Sequence, residues 1–209
     1  TQMALHAGAD LVIELPVVYA MSSAEYFAYG AVKILDSLGI VDTICFGSEN
    51  GRIDELEIIS QVLHEEPKDY RDKLKMYLDR GMSYPSARQY ALQDYIGKSQ
   101  GFLESINEII GSSNNILGIE YLKALKALRS KIKPFTLQRI GNAYNTEELT
   151  GSISSATSIR KRIWNDASEI AGLESIGDTL PEYSLRILNE EFKAGRGPVF
   201  SKDFECMLL

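Results

Sequence analysis

The hydrophobic pattern near the N-terminus predicts a strand, a helix and a second strand. Asp10–Leu15 and Val41–Phe46 are short apolar runs rich in β-branched residues, and such runs are typical of parallel strands covered on both faces. Between them, Ser22 or Ser23 can cap a helix whose apolar residues recur at helical spacing until Gly39. This order of elements predicts a βαβ unit with a right-handed crossover.

Helical spacing dominates the middle of the chain. The apolar positions between Arg52 and Gly97 predict three successive amphipathic helices, and we expect a helical insertion over about residues 52–111. The aromatic residues of this insertion are expected in a core and not on a base-stacking surface. Next, Ser112–Asn115 begins another amphipathic helix. Ile132–Ile140 predicts a third strand.

The last third of the chain is predicted to be mainly helical. Gly151–Ile163 begins as a turn rich in hydroxyl groups and becomes a helix, and the pattern loosens after Trp164. Pro181–Ala194 predicts a further helix with proline at its first position. We therefore divide the chain into an α/β domain of residues 1–166 and a linker with the start of a helical domain over residues 167–209.

Composition is that of a soluble globular protein, with 44% hydrophobic and 24% charged residues in 209. No apolar run approaches the ~20 residues of a membrane span, and no signal peptide is expected. Because the chain opens on Thr1 and not on Met, we expect it to start inside a longer protein. Cys45 and Cys206 are far apart, which predicts no disulfide framework and a cytoplasmic location. With His6 and His64 they form no metal-ligand spacing.

The net charge of −7 argues against a protein that coats nucleic acid by bulk electrostatics. Charge is nevertheless segregated along the chain. Acidic residues crowd into Glu49–Asp79, whereas seven basic residues fall between Arg129 and Arg162. A polyanion is therefore expected to prefer the later part.

Candidate chemistry lies first at the ends of the predicted strands. Ligands of such sheets bind beyond the carboxyl ends of the strands, which places Glu14–Pro16 and Gly47–Glu49 at one edge. Gly47 either lets a ligand approach the backbone closely or merely permits a tight turn. Asn114 or Asn115 either caps the following helix or offers a carboxamide to a ribose or phosphate oxygen.

The serine-rich turn is the second candidate. Ser154 or Ser155 can cap the helix that follows, and the unpaired N–H groups and dipole of that helix terminus favour an anion. Arg160 follows about one and a half turns later, and its planar fork suits phosphate oxygens. The alternative is an ordinary capped amphipathic helix with its apolar residues, among them Trp164, buried.

Four stretches occur in order: Asp10–Pro16, Phe46–Glu49, Asn114–Tyr121 and Ile153–Arg160. Together they resemble the bacterial tRNA(Met) cytidine acetate ligase family, which belongs to the nucleotidyltransferase-like superfamily of Rossmann-type α/β folds. The resemblance covers the chain up to about Trp164. It implies a Rossmann-like nucleotidyltransferase domain with a parallel sheet whose first strand precedes the chain, a helical insertion, and the start of a helical C-terminal domain.

In that family, ATP and acetate form acetyl-adenylate with release of pyrophosphate. The acetyl group then passes to N4 of the wobble cytidine of elongator tRNA(Met). The resemblance therefore implies a ligase that uses ATP with Mg²⁺ and has acetate and tRNA(Met) as partners. It implies no membrane partner and leaves the oligomeric state open.

The resemblance also implies a set of nucleotide-binding residues. Gly47 would approach the adenosine. Ser154, Ser155 and Arg160 would neutralise the β- and γ-phosphates as pyrophosphate leaves. Glu49 would either help to order a magnesium shell or be solvated. The residues implied in ATP binding are Gly47, Asn114, Asn115, Arg139, Ile140, Ser154, Ser155 and Arg160.

One feature of the family is expected upstream of Thr1. This is the His-x-Gly-His-type turn, which in the superfamily contacts the phosphates, and neither His6 nor His64 lies in such a turn. The catalytic residues are thus expected outside this chain, and the fragment alone is expected to be inactive. Two alternatives remain open: a small-molecule adenylyltransferase, and a non-catalytic nucleotide- or RNA-binding module.

Overall fold

The structure is a computed structural model that divides the chain into two compact units. The larger unit spans Leu15–Arg139, and the smaller one combines Thr1–Glu14 with Ile140–Leu209. The described residues are 1–49, 51–100, 103–139, 154–165, 176–200 and 203–204.

The larger unit contains a parallel pair of strands, β1 (Thr43–Ser48) and β2 (Lys133–Gln138). Gly47 lies opposite Leu137 in the register. The α/β class and the strand predicted over 132–140 are confirmed. The strand predicted over 41–46 is also present but begins two residues later.

Helices make up most of the chain, and the predicted helical insertion is confirmed. Glycines end two of the helices as expected, because Gly39 and Gly81 have φ of 68° and 83°, which side chains rarely adopt. The α-helices in chain order are α1 (Gln2–His6), α2 (Val17–Ala20), α3 (Ala24–Leu38), α4 (Ile53–Glu65), α5 (Lys68–Asp79), α6 (Tyr84–Gln100), α7 (Leu103–Gly111), α8 (Ser113–Ala127), α9 (Ala156–Asn165) and α10 (Glu182–Lys193).

The core of the larger unit lies where α8 packs against α3, α4 and β1. Gly118 allows this close approach, since a Cβ built on it would lie 2.7 Å from Cε2 of Phe46. One face of the sheet is thereby covered, whereas Phe135 and Leu137 on the other face are more than half exposed. Fully buried side chains of the core include Leu56, Ile59, Tyr70, Leu92, Ile106 and Ile119.

The strand predicted at Asp10–Leu15 is wrong. The segment has no strand geometry, and Leu11 and Ile13 are 64% and 42% exposed. A strand needs a neighbour to pair its backbone groups and a layer to cover its side chains. Within the described residues β1 and β2 pair only with each other. The apolar run therefore has the composition of a buried strand but no neighbouring strand to pair with among the described residues.

In the smaller unit, α1 and α10 pack together, and the ring of His6 stacks on Tyr183 at 5.9 Å between centroids. Trp164 was expected to be buried under the simpler interpretation of α9, but it is 48% exposed and meets the ring of Phe200 edge-on. In α9 the buried position is held by Ser158, and Trp164 lies on another face of the helix. The domain boundary near residue 166 stays a prediction, because residues 166–175 lie outside the described residues.

Two expected properties can be compared with the described parts of the chain. No helix there combines the length and apolar character that a membrane span requires. The free thiol of Cys45 is exposed on β1. The cytoplasmic location stays a prediction.

Burial of Tyr70 predicts a loss of stability at alkaline pH. Tyr70 is 1% exposed, and its burial raises its pKa from 10.0 to about 12. Since the unfolded chain ionises first, this contribution is complete below pH 10 and is lost as the pH rises from about 10 to about 12. The Tyr70→Phe variant should therefore lose about 1 kcal/mol less unfolding free energy than the wild type between about pH 8 and pH 11. Chemical denaturation at the two pH values measures this, and equal losses would contradict it.

Candidate functional site

The carboxyl ends of β1 and β2 bring two predicted site residues together. Gly47 lies in β1, and Arg139 directly follows β2. The Arg139 N–H donates to the Ser48 carbonyl oxygen at 2.9 Å, which extends the ladder by one bond. The Arg139 side chain passes over Gly47, since a Cβ on Gly47 would lie 3.3 Å from Arg139 Cγ. The site therefore has a glycine backbone that the stem of an exposed arginine crosses.

Glu49 directly follows Ser48, the last residue of β1, and caps the N-terminus of α8. Its Oε1 accepts from the backbone N–H and the Nδ2 of Asn114 at 3.2 and 2.9 Å, and its Oε2 accepts from the Asn115 N–H at 2.9 Å. In return, the Glu49 N–H donates to Asn115 Oδ1 at 3.0 Å. We call Glu49, Asn114 and Asn115 the Glu49 clamp. It joins the end of β1 to a helix that begins 64 positions later.

The Glu49 clamp shows which residue caps α8, which the sequence had left open between Asn114 and Asn115. Neither asparagine supplies the cap itself, and Ser112 at the N-cap position instead donates its hydroxyl to the Glu108 carbonyl at 2.6 Å. A carboxylate is well placed here because the helix dipole and the unpaired N–H groups favour negative charge. The Glu49 carboxylate is thus engaged at this helix terminus, and its part in ordering a magnesium shell stays a prediction.

A buried hydroxyl pair fixes the turn that carries Glu49. Ser48 is fully buried, and its Oγ accepts from the Gly51 N–H at 3.0 Å and from Thr136 Oγ1 at 2.8 Å. Gly51 has φ of 68°, as this tight turn requires. The sequence analysis did not identify the role of Thr136. The one signal was that this polar residue occupies the buried position of a strand whose other residues are largely exposed.

A recess of about 520 Å³ lies between α4 and α7, and Glu49 and Asn115 of the Glu49 clamp form part of its lining. It is lined by Glu49, Glu55 and Glu108 but by only one cation, Arg52, which pairs with the buried Glu55. Such a surplus of carboxylates disfavours a polyphosphate. At the edge of Gly47 and Arg139, by contrast, an exposed guanidinium favours an anion.

In the smaller unit, Ser155 caps α9. Its Oγ accepts from the Ser158 N–H at 3.0 Å, and the Ser158 hydroxyl donates back to the Ser155 carbonyl at 2.7 Å. The predicted serine cap is therefore confirmed and assigned to Ser155. Arg160 is exposed and donates to Thr157 Oγ1 at 3.3 Å.

Ser154 differs from its neighbour because its hydroxyl is buried and has no hydrogen-bond partner among the described residues. An unsatisfied buried hydroxyl costs about 1–3 kcal/mol. Its position beside a helix N-terminus fits an acceptor such as a phosphate oxygen. Ile140, the remaining predicted site residue, lies outside the described residues.

Comparison with known proteins defines the class to which this fold and site belong. A family model described as HIGH Nucleotidyl Transferase matches residues 1–209. The chain therefore belongs to this nucleotidyltransferase family, and the predicted Rossmann-like class is confirmed.

The similarity extends to particular proteins. The chain is 57% identical over 204 residues to the tRNA(Met) cytidine acetate ligase of Acetivibrio thermocellus, with 98% of this chain and 48% of that protein covered. It is 50% identical over 208 residues to the protein of the same name from Caldanaerobacter subterraneus subsp. tengcongensis, with 100% and 49% covered. The resemblance to the tRNA(Met) cytidine acetate ligase family is thus confirmed, and the chain spans about half the length of these curated relatives.

Solved structures agree. The crystal structure of apo Thermotoga maritima TmcAL superposes with a TM-score of 0.89 at 38% identity, over 97% of this chain and 47% of that chain. The same protein bound with alpha-thio ATP gives a TM-score of 0.86 at 38% identity, over 97% and 45%.

The Glu49 clamp makes a stability prediction. Glu49→Ala removes three hydrogen bonds at the start of α8 and should lower the free energy of unfolding by about 2 kcal/mol. Glu49→Gln should cost less, because it keeps one acceptor oxygen. Glu57→Gln, at an exposed position of α4, is the matched control and should change little. Urea unfolding measures all three, and a Glu49→Ala variant as stable as the control would contradict the role of the clamp.

Proposed function

We propose that this chain is the nucleotide-binding part of an ATP-dependent ligase that acetylates the wobble cytidine of elongator tRNA(Met). ATP and acetate would form acetyl-adenylate and pyrophosphate, and the acetyl group would then pass to N4 of the cytidine. The observation that carries this proposal is the edge at Gly47 and Arg139, which the Glu49 clamp fixes in a chain 57% identical to a named ligase. The alpha-thio ATP complex of the Thermotoga relative supports ATP as the nucleotide.

The larger unit would bind the nucleoside. Gly47 has no side chain to keep the adenosine from its backbone, and the exposed Arg139 guanidinium lies beside it. Asn115 is buried and its Oδ1 accepts from Glu49, so its contact with the ribose is proposed on the resemblance alone. Asn114 retains its carboxamide oxygen as an acceptor, because its Nδ2 is committed to Glu49. Ile140 is proposed beside Arg139 on the resemblance alone.

The smaller unit would bind phosphates. The unpartnered Ser154 hydroxyl, the N-terminus of α9 behind Ser155, and the exposed Arg160 all favour an anion. Their role would be to stabilise the negative charge that develops on the leaving pyrophosphate.

Mg²⁺ would accompany the triphosphate. Within the described ranges, no group of three or more His, Cys, Asp or Glu side chains could hold a metal ion. Mg²⁺ commonly retains waters and binds through substrate phosphates with one or two carboxylates. We therefore propose that it is held by the nucleotide phosphates, with no such cluster of ligands among the described residues.

The activity can be tested with the full-length protein, labelled acetate, ATP and methionine tRNA. We expect N4-acetylcytidine in the tRNA and ATP–pyrophosphate exchange that depends on acetate. Absence of both products would contradict the proposal. Pantetheine phosphate and nicotinamide mononucleotide serve as control acceptors, because adenylyl transfer to either would instead identify a small-molecule adenylyltransferase.

Arg160→Ala should separate binding of phosphate from folding. We expect a loss of about 10- to 100-fold in kcat/KM for ATP, since a charge-assisted phosphate contact is removed. The unfolding free energy should change by less than about 0.5 kcal/mol, because the side chain is exposed. Lys161→Ala, which removes an adjacent exposed cation, is the control. An equal loss in both variants, or unfolding of Arg160→Ala, would contradict a specific phosphate contact.

A further inference from the structure

The hairpin of α5 and α6 has an aromatic and basic surface that the nucleotide site does not use. The rings of Tyr77 and Tyr90 lie 5.5 Å apart and 35° from parallel. The Arg80 guanidinium stands 5.6 Å from the centre of the Tyr77 ring. We call Lys73, Tyr77, Arg80 and Tyr90 the Tyr77–Tyr90 surface.

This surface is held in place before any partner binds. The Tyr77 hydroxyl donates to Asp94 Oδ2 at 2.8 Å, and this hydrogen bond is the main reason why its pKa is raised above 10.0. Lys73 Nζ lies 3.8 Å from the same carboxylate oxygen and offsets its charge. The hydrogen bond to Asp94 therefore fixes the Tyr77 ring next to Tyr90 and Arg80, and little side-chain entropy remains to be lost on binding.

The exposure of Tyr90 is not explained by packing of the two helices. Tyr70 and Tyr95 already form the internal ring contact of this hairpin, and Tyr70 is 1% exposed. Tyr90 is 46% exposed, and Met76 beside Tyr77 is 36% exposed. The expectation that the aromatic residues of the insertion belong to a core is thus confirmed for Tyr70 and wrong for Tyr90.

This hairpin carries a local excess of positive charge. Residues 68–100 contain seven Lys and Arg, four Asp and no Glu, in a chain whose net charge is −7. The acidic stretch Glu49–Asp79 overlaps this segment only in α5, and most of its acidic residues precede residue 68. Lys73 and Arg80 thus belong to a positively charged segment with exposed aromatic rings.

We propose that the Tyr77–Tyr90 surface stacks an unpaired base of single-stranded RNA while Arg80 contacts the adjoining phosphate. Proteins recognise RNA loops chiefly by stacking splayed bases on aromatic or guanidinium planes, and basic side chains attract the backbone. The inference deepens the proposed function and rests on it, since it assigns the surface to the tRNA substrate.

The test measures binding of methionine tRNA to the full-length protein by fluorescence anisotropy at about 50 and about 200 mM salt. Tyr90→Ala should weaken binding about tenfold, because one base loses its stacking partner. Tyr90→Phe keeps the ring and should bind within about twofold of the wild type. Arg80→Gln should weaken binding and lower the salt dependence by about one phosphate contact.

Lys75→Gln is the matched control. Lys75 is an exposed cation of α5 two positions before Tyr77, and therefore on the opposite side of the helix. It should leave both the affinity and the salt dependence unchanged. Since Arg80 is exposed, Arg80→Gln still decides the question if Tyr90→Ala does not fold.

The outcomes separate this inference from the proposed function. If the wild type catalyses acetate-dependent ATP–pyrophosphate exchange and binds tRNA, but Tyr90→Ala and Arg80→Gln bind as tightly as Lys75→Gln, the inference is overturned and the proposed function stands. If the wild type shows neither exchange nor tRNA binding, both are overturned. Selective loss in Tyr90→Ala and Arg80→Gln, with Tyr90→Phe retained, supports a stacked base over a protein partner.

Discussion

The larger unit depends on one long-range interaction, the carboxylate of Glu49 on the N-terminus of α8. The parallel pair β1 and β2 is only two strands wide within the described residues, and pairing alone does not determine where the turn after β1 lies. Glu49 fixes that turn by hydrogen bonds to Asn114 and Asn115, and the same bonds begin the helix that covers the sheet. Local and tertiary structure are therefore set by the same charge-assisted contacts.

This arrangement explains why the sequence predicted some elements well and one strand wrongly. Helices are local, since the spacing of apolar residues sets both their backbone bonds and their buried face. A strand also needs a partner that no local pattern reveals. Ile132–Ile140 has such a partner in β1, whereas Asp10–Leu15 has none among the described residues and stays exposed.

The candidate site shows the same difference between what general rules predict and what depends on long-range side-chain contacts. That Gly47 and Arg139 lie together follows from a general rule, because parallel strands end at one edge. The pairing of Glu49 with Asn115 joins residues 66 positions apart and rests on side-chain geometry that spacing does not encode. In the serine turn, the sequence offered Ser154 and Ser155 as equivalent caps. The structure distinguishes them, because Ser155 bonds to Ser158 whereas the Ser154 hydroxyl has no partner within the described residues.

Electrostatics then limits where a polyanion can bind in this acidic chain. The recess beside the Glu49 clamp is rich in carboxylates, and its one cation, Arg52, is committed to Glu55. Positive charge is instead in excess over residues 68–100 and over residues 129–162, and it is exposed at Arg139. A carboxylate within a few ångströms repels a phosphate strongly. The charges of more distant residues are screened by salt and contribute much less. Local segregation between neighbouring helices, and not the overall charge of −7, therefore decides which surfaces can take a nucleotide or an RNA.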